Sequence, residues 1–309
     1  MHIVVLPASP KTAQSTIRAL LADPREPTVT GVYRDPRRAS AEFREHPRFN
    51  AVQGDMADAQ RLDGVCAGAD AVATITPPLH AETDPIVKAR ELAGNVKHAV
   101  SAREGKSSSV KRLVYVSSVG AQFQRGTGEI RTNHEAEQSL RNAAPKVVFM
   151  RCAYFMENWA TALATTLKAD PPFFYSVICP ADYKIPMVSV RDIGRICAAQ
   201  LLAAGSVAVP GDENPFIFDL HGPESYSTRD VQEAFEDAMG KQVGVELVQD
   251  DQLVGFFAQA FKEPMASLFV EMTRSFLPGG VTEKGMNEGT RIRRGKDTLS
   301  ETVRRMLGN

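Results

Sequence analysis

The stretch Pro7-Ala8-Ser9-Pro10-Lys11-Thr12-Ala13 sets an ammonium and two hydroxyls between two apolar segments. Before it, Ile3, Val4, Val5 and Leu6 form a run rich in β-branched residues. After it, Ala13, Ile17, Leu20 and Leu21 recur at helical spacing, so the whole reads as a buried strand, a tight turn and an amphipathic helix. Such a helix start offers free N–H groups and a positive dipole end to an anion, as the first βα unit of a dinucleotide-binding fold does for pyrophosphate. The glycines that usually line that turn are absent here. A second β-branched run, Thr28 to Tyr33, ends in Arg34-Asp35-Pro36-Arg37-Arg38. Arginine just beyond a second strand suits a ribose 2′-phosphate as a bidentate partner, which favours NADP over NAD, although a solvated loop would carry the same charges.

Proton chemistry has few candidates. Between Ser118 and Arg141 there is no tyrosine and no lysine. His134, with an ordinary pKa of about 6.5, would serve as a general acid, and an exposed first-turn histidine would look the same. Tyr154 is the other candidate donor. Thr132 with Glu135 reads as a capping box, which supplies a structural reason for Glu135.

The elements that must position these groups alternate. Strands are predicted at Phe49 to Val52, Ala71 to Ile75, Leu113 to Val116 and Val147 to Met150, with helical stripes between them. Strand alternating with helix at this spacing argues a doubly wound parallel sheet with right-handed crossovers. Thr76-Pro77-Pro78 stops the fourth strand in a rigid mouth. Gly120 to Arg131, with three glycines, reads as a loop over the strand ends. Beyond Cys152 the rhythm loosens. Capped helices are predicted at Ser189 to Ala204, at Ser227 to Met239 and after Thr298, and strands at Phe216 to Leu220 and Val243 to Val248. The Phe and Met cluster between Phe256 and Leu277 would serve as a core or as a lid over an apolar ligand, and Arg291 to Lys296 reads as a solvated face.

Bulk properties exclude several functions. Thirty-six basic against 37 acidic residues in a chain of 309 give no net field for nucleic acid or an anionic membrane. No apolar run reaches the roughly 18 residues of a membrane span. Cys66, Cys152, Cys179 and Cys197 lie scattered among apolar residues, as reduced thiols of a cytoplasmic protein do, and no metal-ligand spacing occurs.

Taken together, the first βα unit with Lys11-Thr12, Arg34-Asp35-Pro36, Val116-Ser117-Ser118-Val119-Gly120-Ala121, Arg151 with Tyr154-Phe155-Met156-Glu157-Asn158, Val188 to Gly194 and His221-Gly222-Pro223-Glu224 resemble the NmrA-like family of atypical short-chain dehydrogenase/reductases over nearly the whole chain. The resemblance implies an α/β Rossmann domain over residues 1–151 and a small α+β substrate lobe within 152–309, from which segments return to the sheet. It implies that Ala8, Ser9, Lys11 and Thr12 face the pyrophosphate, and Arg34 the 2′-phosphate. Asp55 and Met56 would border the adenine, Thr76 and Pro77 the path to the nicotinamide, and Ser117 and Tyr154 that ring. Family members include quinone and enone reductases, enzymes of secondary metabolism and regulators that bind dinucleotide without turnover.

Two departures follow from this resemblance. Pro7, Pro10 and Ala13 stand at the family's three glycine positions, and each proline lacks an N–H. At about 1.5–3 kcal/mol per hydrogen bond to a charged group, two losses would weaken binding by about a hundredfold or more. Ser9 as N-cap with Pro10 as first helical residue would offset this, leaving Lys11 and Thr12 to hold the phosphates. Asn133 stands where many members keep a lysine. The leading expectation is an NADPH-dependent reductase of a small apolar carbonyl, enone or quinone. An isomerase or cyclase, and a non-catalytic dinucleotide sensor with a protein partner, stay open.

Overall fold

Parallel strands buried on both faces need near-continuous apolar runs, and the runs in this sequence become such strands. The computed structural model describes residues 1–102, 107–203, 213–285 and 291–308. In chain order it forms β1 (His2–Leu6), α1 (Lys11–Leu21), β2 (Thr28–Tyr33), α2 (Ala41–Arg44), β3 (Phe49–Gln53), α3 (Ala59–Cys66), β4 (Ala71–Ile75), α4 (Pro85–Val100), β5 (Arg112–Ser118), α5 (Arg131–Leu140) and β6 (Lys146–Cys152). There follow β7 (Tyr154–Phe155), α6 (Ala160–Ala164), β8 (Phe173–Ser176), β9 (Ile185–Val188), α7 (Val190–Leu202), β10 (Phe216–His221), β11 (Ser225–Tyr226), α8 (Thr228–Met239) and β12 (Gly244–Leu247). The chain closes with α9 (Leu253–Ala258), α10 (Met265–Phe276), α11 (Val281–Gly285), β13 (Ile292–Arg294) and α12 (Leu299–Leu307).

Eight strands pair in parallel in the order β13-β10-β6-β5-β4-β1-β2-β3. This is a doubly wound Rossmann-like sheet. Ile17, Leu20, Ile193 and Leu201 of α1 and α7 cover one face, and Leu62, Leu92, Val96 and Leu140 cover the other. Each such side chain, fully buried, contributes about 1.5–3 kcal/mol. The later segments β7, β9 and β11 form a small sheet of their own, β8 and β12 another. A separate cluster around Trp159, Phe174 and Phe235 is the core of that lobe.

Capping follows the sequence at three of four places. Ser189 Oγ accepts from the Asp192 amide, and Ser227 with Asp230 and Thr298 with Glu301 make reciprocal capping boxes. Ala204, the expected end of α7, lies outside the described residues. Thr132 with Glu135 is not a capping box. Helix α5 begins at Arg131, directly out of a 3-10 turn at Gly128–Ile130, so Thr132 is already helical, and the Glu135 carboxylate accepts from Arg90 Nε at 2.8 Å instead. Ser9 is not the N-cap of α1 either. Pro10 takes that position with ψ 148°, its carbonyl accepts from the Gln14 amide, and the first helical residue is Lys11. The run Arg291 to Lys296, expected as a solvated face, contributes the edge strand β13, where the Arg293 guanidinium lies 4.5 Å from the Phe218 ring centroid.

Two devices fix α7. At Gly194 it crosses α1 so closely that a Cβ would lie 2.6 Å from the Ser15 carbonyl oxygen. At its start, the buried Asp297 carboxylate accepts from Ser189 Oγ, Arg191, Arg195 and Arg305, tying α12 to α7. Burial alone would raise the Asp297 carboxyl, but the hydrogen bonds from Arg191 and Ser189 and the charges of Arg305 and Arg195 outweigh it and hold it at about 2.

Gly194→Ala is expected to destabilise the protein by about 1–3 kcal/mol through overpacking. Gly94→Ala in the exposed middle of α4, where a Cβ meets nothing within 4 Å, should stabilise by about 0.5–1 kcal/mol. Denaturant unfolding of both variants checks this. Because the folded Asp297 carboxyl titrates below its unfolded value, its contribution is present above about pH 4 and is lost as pH falls toward 2. Asp297→Asn should therefore lower stability at pH 7, and the difference from wild type should shrink across that acid window.

Candidate functional site

The strand order reverses between β1 and β4, and in an open parallel sheet ligands bind outside the carboxyl ends of the strands at such a point. Here those ends carry Pro7 to Pro10 and Thr76-Pro77-Pro78. They border a trough whose first section, about 550 Å³, is lined by Ser9, Arg34, Arg38, Asp55, Met56 and Pro77. Pro10, Pro77 and Pro78 also border the next section, about 740 Å³, where Lys11, Thr12 and Thr76 stand. That section shares Ile75, Thr76, Glu129, Phe155, Asn158 and Phe269 with a cavity of about 300 Å³ whose lining includes Ser117, Asn133, Tyr154, Met272 and Phe276. The three form one continuous path.

At the turn, the N–H groups of Lys11, Thr12 and Ala13 occupy the first helical positions, which have no intrahelical acceptor. Pro10 precedes them, so its missing donor subtracts nothing from that set. Thr12 Oγ1 is buried without a hydrogen-bond partner and lines the trough. A buried hydroxyl left unpaired costs about 1–3 kcal/mol, and a phosphate oxygen beside the helix start would satisfy it. The residues therefore fit a dinucleotide. Ala8 does not join them, because it is fully buried and its amide already donates to the Val32 carbonyl at 2.8 Å.

At the other end, Arg34 and Arg38 line the trough and have no carboxylate partner among the described residues. Asp35 is turned to Arg37, which donates to it through Nε at 2.9 Å and Nη2 at 3.0 Å. The Asp35 carboxylate is thus occupied, and Arg34 and Arg38 stand in the same section as the carboxylates of Asp55 and Glu82. Asp55 accepts from the Ala57 amide and Met56 offers its carbonyl to Asn95, which fixes the loop that borders this section.

One face of α5 determines the cavity floor. Asn133 and Glu137 are spaced i, i+4 and so project together. Asn133 Nδ2 donates to Tyr115 Oη at 2.9 Å, and Tyr115 Oη shares a 2.7 Å hydrogen bond with Thr76 Oγ1. Glu137 accepts from Ser117 Oγ at 2.7 Å and from Arg151 Nε and Nη2 at 2.9 and 2.7 Å. Both charges of that pair are buried. Burial pushes the Tyr115 hydroxyl far up, against the hydrogen bonds from Thr76 and Asn133. Asn133 and Ser117 thus line the cavity with the Asn133 Nδ2 and the Ser117 hydroxyl proton already engaged.

His134 lies one step round the helix and lines none of these three spaces; its Nδ1 makes a 2.8 Å hydrogen bond with the Ala121 carbonyl. Its expected acid role is corrected on that ground. Tyr154 does line the cavity, with burial pushing its hydroxyl up to about 12 against a hydrogen bond from Asn158. Sequence reasoning missed Glu129, Glu157 and Arg38. Glu129 lines both the trough and the cavity, and burial raises its carboxyl against a hydrogen bond from Thr132. Glu157, raised by burial, accepts from the Val190 amide at the start of α7. The signal for Glu129 was a lone carboxylate inside a glycine-rich loop over strand ends. Within the Phe and Met cluster, Phe257 packs with Leu253 and Val270 in a small core, as one expected role required, while Phe269, Met272 and Phe276 line the cavity. Among the described residues no group of histidine, cysteine or acidic side chains is gathered for a metal, and no helix is long and apolar enough to cross a membrane.

Residues 8–204 match an NAD(P)H-binding family. No curated protein matches the sequence. Among solved structures, an NADPH-dependent quinone oxidoreductase from Escherichia coli, complexed with NADPH, is 17% identical with a TM-score of 0.72, covering 100% of both chains. Citrobacter sp. triphenylmethane reductase complexed with NADP(H) is 15% identical, with a TM-score of 0.70 over 99% of this chain and 100% of that one. NmrA, a negative transcriptional regulator, is 18% identical with a TM-score of 0.65, over 98% of this chain and 94% of that one.

Removing one partner of a buried ion pair leaves the other charge uncompensated, at about 3–5 kcal/mol. Glu137→Ala is therefore expected to lower stability by that amount, and Glu137→Ala with Arg151→Met by clearly less than the sum of the two single changes. A double-mutant cycle by chemical denaturation measures it.

Proposed function

The chain belongs to the NAD(P)H-binding family and has the fold of the NmrA-like atypical short-chain dehydrogenases, and from that premise we propose that it is an NADPH-dependent oxidoreductase reducing a small, largely apolar carbonyl, enone or quinone. The observation that carries this reading is the continuity of the path. A trough with free arginines at one end and an unpaired helix start in its middle opens directly into an apolar cavity. NADPH, when bound, supplies a hydride. The protein's part is to hold and orient. Lys11, Thr12 and the start of α1 would hold the pyrophosphate, while Arg34 and Arg38 would hold the 2′-phosphate. Pro77 and Pro78 give the trough a rigid wall, and Phe269, Met272 and Phe276 would keep water from the acceptor. The reductases among the structural neighbours support a redox reading, and the regulator among them makes binding without turnover the alternative to be tested.

Calorimetric titration with NADPH and NADH is the first test. Each arginine lost from a phosphate contact costs about 1.5–3 kcal/mol, so Arg34→Ala and Arg38→Ala should each weaken NADPH binding by roughly 10- to 100-fold. NADH binding should change little. Thr12→Val should weaken both cofactors alike. Binding of NADPH together with its oxidation by a quinone or enone is expected. Absence of binding at millimolar NADPH overturns the proposal, and binding without oxidation by any acceptor turns it toward a sensor.

A further inference from the structure

Glu129 stands where the trough and the apolar cavity meet, and among the six residues that line both it carries the one ionisable side chain. Its surroundings are unusual for a carboxylate. It sits in the 3-10 turn Gly128–Ile130, pressed under α10: Gly128 has φ 53°, and a Cβ there would run into the backbone of Leu268 and Met272. Phe269 and Met272 of α10 supply apolar walls. Its one polar contact is a long hydrogen bond, 3.4 Å, from Thr132 Oγ1, and it has no ion-pair partner among the described residues.

The other proton-bearing groups of the cavity are committed or are much weaker acids than a carboxyl. Ser117 donates to Glu137, and the Asn133 amide donates to Tyr115. The Tyr154 hydroxyl is held up at about 12 by burial, and burial pushes the Cys152 thiol well up. Carboxyl groups in apolar clefts without a cationic partner keep their proton to higher pH, and that is the property a general acid needs. We infer that the Glu129 carboxyl is the proton donor of this cavity, and that the cavity takes an uncharged, flat, conjugated acceptor whose oxygen receives that proton. The inference rests on the reductase reading above and assigns its second half-reaction.

The step balances. The acceptor gains a hydride, that is one proton nucleus and two electrons, which forms a new C–H bond while the carbonyl π pair moves onto oxygen. The oxygen takes a proton from Glu129 Oε, so an O–H bond of the acid breaks and one of the product forms. The dinucleotide is the reductant, and the carboxylate regains its proton from water at the open trough. An anionic acceptor would meet apolar walls and no lysine or arginine among the residues lining the cavity, so the cost of desolvating its charge excludes it. The titratable groups around Glu129 are Tyr115 from β5, Tyr154 from β7, and Lys11, His80 and Glu157 across the trough. Helix α10 turns Phe269, Met272 and Phe276 to the cavity, and α5 turns Asn133.

The test is Glu129→Gln, which keeps shape and removes the acid. In the unloaded protein, carboxyl carbon NMR should find, besides Glu157, a second glutamate titrating above the ordinary range, and that second signal should be absent from the variant. NADPH binding by calorimetry should match wild type. With a neutral quinone or enone, kcat should fall about 100-fold or more with KM little changed, and the alkaline limb of the pH profile should disappear. A Glu129 titrating in the ordinary range overturns the inference, as does a variant with wild-type kcat. A variant that raises KM for cationic acceptors alone also overturns it, since Glu129 would then be a counter-ion. Wild-type protein that oxidises NADPH beside an equally active variant sinks the donor alone, whereas wild-type protein that does not bind NADPH sinks the reductase reading with it.

Discussion

The buried pair of Glu137 and Arg151 is the interaction on which the site depends. A charge taken out of water is costly unless its partner is close and its remaining lone pairs are used. Here both conditions hold, because Arg151 donates twice and Ser117 fills another acceptor position of Glu137. The pair fixes α5 against the carboxyl ends of β5 and β6, and one turn earlier Asn133 repeats the attachment through Tyr115 to Thr76, just beyond the carboxyl end of β4. Helix α5 thereby acts as a strut. Asn133 and Glu137 hold the floor of the cavity in place, and the carboxyl of Glu129, just before the helix begins, stands there without an ion-pair partner among the described residues.

The phosphate end shows how a fold keeps its electrostatics after losing its usual residues. Glycines in such a turn serve close backbone approach, and prolines at two of those places remove both space and donors. The helix start, however, needs only the N–H groups beyond its cap. With Pro10 as the cap residue rather than the first helical one, Lys11, Thr12 and Ala13 keep theirs. The dipole is unchanged, an ammonium stands beside it, and Thr12 Oγ1 is already desolvated at the trough wall. Desolvation that folding has already imposed is not imposed again by the ligand.

The sheet was legible because parallel strands are buried on both faces, so β-branched runs such as Val29 to Tyr33 and Ala71 to Ile75 could hardly be anything else. The caps at Ser227 and Thr298 were legible because donor and acceptor are three residues apart. What failed was decided at a distance. Glu135 looked like half of a capping box until α4 brought Arg90 beside it, 45 residues away in sequence. Arg293 looked solvated until β10 placed Phe218 under its guanidinium. His134 and Asn133 are adjacent in sequence and differ by about 100° round α5, so which of them faced the cavity followed from the helix phase, set by Glu137 and Arg151. Glu129 was hidden for the same reason, since the helix that buries it comes some 140 residues later.

The wall that α10 provides is itself held from both sides. Phe261 and Phe269 stack at 4.4 Å, and the His80 ring meets both edge-on, so the lobe is joined to the loop beyond Pro78. On the opposite side Phe276 packs against Tyr154, whose ring rests near Trp159. Aromatic contacts of this kind contribute about 0.5–1.5 kcal/mol each beyond the area they bury, and they prefer fixed geometry. A cavity bounded by such rings and floored by a hydrogen-bonded helix is formed before any ligand arrives. Its selectivity then comes from shape and from the cost of bringing charge into it, and Glu129 marks the point where a proton can be transferred.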